Sequence, residues 1–303
     1  AALIEDGFKR TLACPPPVAV VADIDVVARA PAALAGWGYG DLAGKIVAGA
    51  DWLLADALGE EPLAPGAFGL VQDNLGDWLG DPEGLRAGRP AAFGGLMEGL
   101  LISGFAMQAH GTSRPASGSD HQFSHLWEME GLAVDGTPVA HGACVGIGCL
   151  TMLGLYRWLL ARTPTAADID RAVLRHPPVE RIAAEVADAF PDSPIAPAAL
   201  AEVTAKHPTG ERLRARLDAL VAAWPTLRQR LADRLPSPDE MRRRLAAAGA
   251  PATAGAIGID RRTLARDCRR ARLIRRRYTA LDLLADLGWL DAAIASAVVD
   301  GTK

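Results

Sequence analysis

"SRPASGSDHQFSHLWEM" (113–129) joins a turn to the start of a helix. Ser, Arg, Pro and Gly crowd its first six residues, which reads as a tight turn. A helix is predicted over about 119–130, and it sets His121 and His125 four residues apart on one face. The chain has six histidines, and four of them (His110, His121, His125 and His141) fall between residues 110 and 141. The flanks set the fold class. Residues 90–110 are apolar almost all round, which predicts a buried helix. After the loop "AVDGTPVAHG" (133–142), a second buried helix is predicted over about 138–161, with His141 at its beginning.

Further out the pattern stays helical. "GWGYGDLAGKIVAGADWLLADAL" (36–58) reads as a glycine turn feeding a helix, with Asp41 in the first turn and Leu42, Ile46, Val47, Trp52, Leu53 and Leu54 at helical spacing. Another helix is predicted over roughly 66–80. Residues 166–300 read as shorter amphipathic helices broken at "HPP" (176–178), "PDSP" (191–194) and "PSPDE" (236–240). Ser237 and Glu240 fit a capping box with Pro238 at the first helical position. The Arg-, Ala- and Leu-rich stretch 207–245 is expected to be a mobile insertion. Near the start, Val18 to Ala22 reads as a short buried strand ending at Asp23 and Asp25. The class is mainly α.

Composition agrees. Half of the 303 residues are apolar, and aromatics make up 5%. The longest uncharged segment, Gly136 to Tyr156, holds a Pro, a His and many Gly, so it is a poor membrane span. Four scattered cysteines (Cys14, Cys144, Cys149, Cys268) with no CxxC read as buried reduced thiols of a cytoplasmic protein. The net charge of −4 hides an asymmetry: residues 1–160 carry −10 and residues 161–303 carry +6. The basic tail includes "MRRRL" (241–245) and "CRRARLIRRRY" (268–278). No aromatic platform accompanies it, so solvated helix faces are expected rather than nucleic acid.

The chemistry concentrates around the histidines. Two neutral imidazoles from among His121, His125 and His141, with the carboxylate of Asp41, would make a three-ligand set that leaves a fourth position open, as in catalytic metal sites. Zinc suits such N/O donors, and iron(II) accepts two His and a carboxylate. Taken singly, each residue has a simpler reading. Asp41 and His141 are charges or polar groups at helix N-termini. His110 reads as a helix C-terminal residue, and His176 and His207 read as surface residues. Lys45, one turn after Asp41, reads as solvated or salt-bridged.

Three ordered motifs, "GYGDLAGKIVAGADW" (38–52), "SRPASGSDHQFSHLWEM" (113–129) and "HGACVGIG" (141–148), resemble the sn-glycerol-1-phosphate dehydrogenases of the iron-containing alcohol dehydrogenase and dehydroquinate synthase-like superfamily. The resemblance covers about residues 8–160 and resumes at "LAAAGAPATAGAIGIDRRTL" (245–264) and "RYTALDLL" (277–284). It implies the C-terminal helical metal- and substrate-binding domain of that fold over residues 31–303. Residues 1–30 then correspond to the end of a Rossmann-like nucleotide-binding domain. It implies interconversion of dihydroxyacetone phosphate and sn-glycerol 1-phosphate with NAD or NADP and a divalent metal: zinc, iron or nickel. Asp41, His121 and His141 resemble the metal ligands, and Asp41 and His125 resemble substrate-contacting residues. His125 would relay a proton or bind the substrate. The partner is a small phosphorylated triose or glycerol, with no nucleic acid and no membrane, and a homodimer is compatible.

One departure matters. The family's glycine-rich pyrophosphate loop has no counterpart in these residues, so the cofactor-binding residues are unknown, and little turnover is expected of this chain alone. The competing expectations are a glycerol dehydrogenase-like polyol oxidoreductase and a non-catalytic metal-binding helical module. A metal hydrolase is weaker, because no HExxH-type motif is present.

Overall fold

The computed structural model describes residues 2–300, apart from Asp6, Ala13 and Pro16. An antiparallel hairpin, β1 (Ala2–Glu5) and β2 (Phe8–Thr11), precedes a short helix α1 (Ile24–Ala28) capped by the Asp23 side chain. The expected strand Val18 to Ala22 is absent. The segment is irregular, with Val18, Val20 and Val21 exposed. β-branched residues favour a strand only where a neighbouring strand can pair and bury them, and among the described residues none lies beside this one.

The molecule is mainly α, built around α2 (Ala32–Ala57). Every residue of α2 from Leu42 to Ala55 is buried. The helix starts at Ala32, more than two turns before Asp41, so Asp41 lies inside it and not in its first turn. The glycines are not breakers here; Gly36 and Gly40 are where neighbouring backbones touch. After α2 come α3 (Pro65–Gln72), α4 (Leu75–Trp78) and α5 (Pro82–Arg86), so the single helix expected over 66–80 is broken at Asp73–Asn74. The long helix α6 (Pro90–His110) buries one stripe (Ala92, Phe93, Leu96, Gly99, Ser103 and Ala106) and leaves Phe105 half exposed. The all-round burial expected of it fails because neighbours cover one face only.

The turn 113–118 contains a 3₁₀ segment and leads into α7 (Ser119–Met129). A two-residue hairpin, β3 (Ala133–Val134) and β4 (Thr137–Pro138), occupies the loop before α8 (His141–Leu160). By length and composition α6 and α8 could each cross a membrane, but α8 is a core helix of this fold. α8 packs against both α2 and α7. The three helices approach so closely because they meet at glycines. A Cβ on Gly40 would overlap the Gly142 carbonyl, one on Gly142 the Trp37 carbonyl, and one on Gly148 the Asp120 carbonyl. Gly142→Ala must therefore force α8 off α2 next to His141. Overpacking of this kind costs about 1–3 kcal/mol, so a lower midpoint of thermal unfolding is expected; an unchanged midpoint would mean that the crossing is looser than described.

The remaining helices wrap this centre: α9 (Ala166–Leu174), α10 (Val179–Ala189), α11 (Ile195–Lys206), α12 (Gly210–Ala232), α13 (Pro238–Ala247), α14 (Arg261–Ala271), α15 (Ala280–Asp286) and α16 (Leu290–Ile294). The stretch expected to be a mobile insertion forms α12, which buries Leu213, Leu217, Leu220, Trp224, Leu227 and Leu231 against α9 and α2. Its apolar residues recur every three to four positions, which gives it a stripe to bury. At α13 only half of the expected capping box forms. Ser237 accepts from the Glu240 amide, while the Glu240 carboxylate turns to Arg243 and Arg244. Cys144, Cys149 and Cys268 are buried as expected, whereas Cys14 is exposed.

Candidate metal centre

Asp41 from α2, His121 from α7 and His141, the first residue of α8, converge. One donor atom from each lies within 4.8 Å of the other two. Both imidazoles aim Nε2 at the same carboxylate oxygen: Asp41 Oδ1 is 3.4 Å from His121 Nε2 and 3.6 Å from His141 Nε2. These separations are too long for hydrogen bonds. They are close to the edge of a coordination tetrahedron, which is about 3.3 Å for bonds of about 2.0–2.1 Å.

The other ring nitrogens are fixed by carboxylates. His121 Nδ1 lies 2.5 Å from Asp120 Oδ2, and His141 Nδ1 bonds to Glu128 Oε1. A carboxylate acceptor holds the proton on Nδ1 and frees the Nε2 lone pair, which is how metal-ligating histidines are oriented. Asp120 is fully buried, and Glu128 also pairs with Lys9. The donor set therefore fits a divalent cation in both its inner and its outer shell. Glu128→Ala frees the His141 ring and should weaken zinc binding about 10- to 100-fold, read by competition with a chromophoric chelator. Affinity equal to that of the parent chain would remove Glu128 from this role.

Asp41 divides its two oxygens. Oδ1 faces the histidines and Oδ2 accepts from Lys45 Nζ at 3.0 Å. Burial works against its charge, but Lys45 and then the two histidines overcome that and hold the carboxyl well below the usual range. Lys45 is the salt-bridged lysine expected, and it is buried.

His125 joins the group one turn after His121. Its ring stacks on His141 at 6.0 Å between centroids and lies 6.1 Å from His121. Arg275 Nη2 donates to its Nδ1 at 3.1 Å. A guanidinium can only donate, so His125 Nδ1 is an acceptor and the proton of the neutral ring sits on Nε2. Burial first, then Lys9 and Arg275, push its pKa well down, which keeps the ring neutral. The turn before α7 is tied down by Arg114, which donates to the Asp51 and Tyr278 carbonyls, and by Arg277, which donates to the Ser117 carbonyl.

The other histidines stay apart from this group. His110 ends α6, bonds Thr112 and packs edge-on against Trp52. His176 and His207 stack on each other at 4.6 Å, each bonding a backbone carbonyl beside the other. Sequence reasoning missed Asp120 and Glu128, although both lie in the opening motif. A search for carboxylates within a turn of each histidine would have found them. It also missed Asp51 and Arg275, which only the tertiary fold brings near. The arginines read as solvated faces are mostly paired: Arg270 with Glu130 and Asp267, Arg272 with Glu185, and Arg276 with Glu202.

No protein-family model matches the chain. It is 38% identical over 159 residues to a glycerol-1-phosphate dehydrogenase (NAD(P)+) of Bacillus velezensis, covering 52% of this chain and 40% of that one. A protein of the same name from Pyrococcus horikoshii is 37% identical over 150 residues, covering 50% of this chain and 42% of that one. Another from Geobacillus stearothermophilus is 29% identical over 288 residues, covering 95% of this chain and 62% of that one. The chain thus spans about two-fifths to three-fifths of the length of these curated relatives. Along nearly all of its own length, it is a homologue of the glycerol-1-phosphate dehydrogenases.

Proposed function

We infer that this chain forms the metal- and substrate-binding part of an NAD(P)-linked oxidoreductase that interconverts dihydroxyacetone phosphate and sn-glycerol 1-phosphate. The convergence of Asp41 Oδ1 with His121 Nε2 and His141 Nε2 carries the reading, together with the name shared by the relatives. On this reading residues 31–303 are the helical domain and residues 1–30 the end of a nucleotide-binding domain, in a cytoplasmic enzyme that could work as a homodimer.

Asp41, His121 and His141 would hold the cation, with zinc the best match to two imidazoles and a carboxylate. When bound, the cation supplies positive charge where a carbonyl oxygen becomes negative, and the nicotinamide supplies the hydride. The chain's own residues prepare that place. Asp120 and Glu128 keep both Nε2 lone pairs directed inward. Lys45 keeps Asp41 ionised. His125, protonated on Nε2, offers a hydrogen-bond donor to the substrate. With Nδ1 engaged by Arg275, the ring has no free lone pair to accept a proton, so it binds substrate and does not act as a base.

The test is a substrate comparison on the complete gene product with NADH and NADPH. Reduction of dihydroxyacetone phosphate, lost on removal of metal with a chelator and restored by zinc, is the expected result. Turnover of unphosphorylated polyols alone would replace this reading with the glycerol dehydrogenase one.

A further inference from the structure

The arginine triplet Arg275–Arg277 follows the 3₁₀ turn Arg272–Ile274 and begins in extended backbone. In an extended chain alternate side chains share a face, and the triplet divides its charges that way. Arg276 points outward and pairs with Glu202, Nη2 to Oε1 at 2.7 Å. Arg275 and Arg277 turn inward. Arg277 clamps the turn before α7 through the Ser117 carbonyl and the Ser113 hydroxyl. Arg275 reaches His125.

Arg275 stands out for what it lacks. Arg216, Arg270 and Arg272 are largely buried, and each is paired with a carboxylate. Among the described residues no carboxylate lies within ion-pair distance of Arg275 or Arg277, but Arg277 spends its guanidinium on the Ser117 carbonyl and the Ser113 hydroxyl, whereas Arg275 is held through one nitrogen on His125. The negative charge that reaches it, Glu202, is committed to Arg276. A partly buried cation with no counter-charge is costly to keep, and it makes a ready anchor for an anion. Its guanidinium fork matches the oxygens of a phosphate. Lys9 also faces His125 but is already paired with Glu128.

We propose that Arg275 receives the phosphate of the substrate and sets the preference for a phosphorylated triose over its unphosphorylated counterpart. The placement suits the proposed reaction, on which this assignment rests. In a triose phosphate only a few bonds separate the carbonyl from the phosphate oxygens. A carbonyl held between Asp41, His121 and His141 puts the phosphate at the level of His125, whose ring lies about one imidazole away from both of the others.

The first measurement is binding of inorganic phosphate to the zinc-loaded chain by calorimetry. The parent chain and Arg276→Ala should bind alike, and Arg275→Ala about 10- to 100-fold more weakly. Arg275→Lys keeps the charge without the fork and should fall between. Equal binding by the parent chain and Arg275→Ala, with unfolding midpoints matched, overturns the assignment. The second measurement is the ratio of kcat/KM for dihydroxyacetone phosphate over dihydroxyacetone, on the complete gene product. Arg275→Ala should lower this ratio about 10- to 100-fold; an unchanged ratio also overturns the assignment. If the parent protein does not use dihydroxyacetone phosphate at all, the proposed reaction falls. The phosphate-binding comparison then still decides whether Arg275 is an anion site.

Discussion

Purified after exposure to zinc, the chain should carry about one equivalent of metal, and His141→Ala should carry almost none. Each protein ligand of a three-ligand site is indispensable, because the cation needs donors at short, fixed distances. Removing even an outer-shell partner costs 10–100-fold in affinity, so losing a ligand should cost more than about 100-fold. Elemental analysis of the dialysed protein reads the result directly. His141 is the cleanest position to change: it is the first residue of α8 and partly exposed, so its loss leaves little unpaired. Asp41→Ala should also abolish binding, but it strips buried Lys45 of its carboxylate. Breaking a buried pair on one side costs about 3–5 kcal/mol, so Asp41→Ala should lose stability as well as metal, whereas His141→Ala should lose only metal. Full occupancy in both variants would mean that the three side chains meet for another reason, such as satisfying one another at helix ends.

The helices around this centre were legible because their apolar residues repeat at helical spacing, and the three converging side chains were legible because they sit in compact motifs. What the sequence hid is mostly contact information. Glycine marks both turns and close approaches; the cluster 36–40 reads as a turn, whereas Gly36 and Gly40 sit where α2 meets the backbones of Gly249 and Gly142, and α2 runs on through them. Apolar content around α6 indicates that it can be buried, not how many sides have neighbours. Val18 to Ala22 has strand composition, but a strand is made by its partner. The basic tail reads as a solvated face because a single sequence cannot show that Glu130, Glu185 and Glu202, far away in the chain, wait to meet it. Once those pairs and the bonds of Arg277 to Ser113 and Ser117 are assigned, Arg275 is left with His125 alone, and that remainder points to a ligand.

Asp51→Ala should be among the most destabilising single changes in the chain, although the residue lies outside the histidine cluster. Its carboxylate is fully buried and accepts four hydrogen bonds: from the Ser119 amide at 2.6 Å, the Ser119 hydroxyl at 2.7 Å, the Tyr156 hydroxyl at 2.6 Å and the Ala280 amide at 2.9 Å. One side chain thereby ties α2 to the first residue of α7, to α8 and to the start of α15. Alanine would leave those donors buried and unpaired, at about 1–3 kcal/mol each before relaxation. It would also remove a negative charge near buried Arg114, leaving that guanidinium the ion pair with Glu61. A net loss of about 3–5 kcal/mol follows, a large part of the 5–15 kcal/mol that holds a typical domain folded. At roughly 1.6 °C per kcal/mol for a chain of 303 residues, the unfolding midpoint should drop by about 5–8 °C. Asp51→Asn preserves the shape but turns an amide N–H₂ toward donors, so it should recover only part of the loss. The effect should reach the metal centre too, because Ser119 is the first residue of the helix that carries His121, two positions on. Thermal unfolding of the metal-free protein isolates the structural cost, and zinc affinity measured below that midpoint isolates the effect on His121. If Asp51→Ala melted within a degree or two of the parent chain, the four donors would have to find other acceptors, and the anchoring of α7 would lie elsewhere.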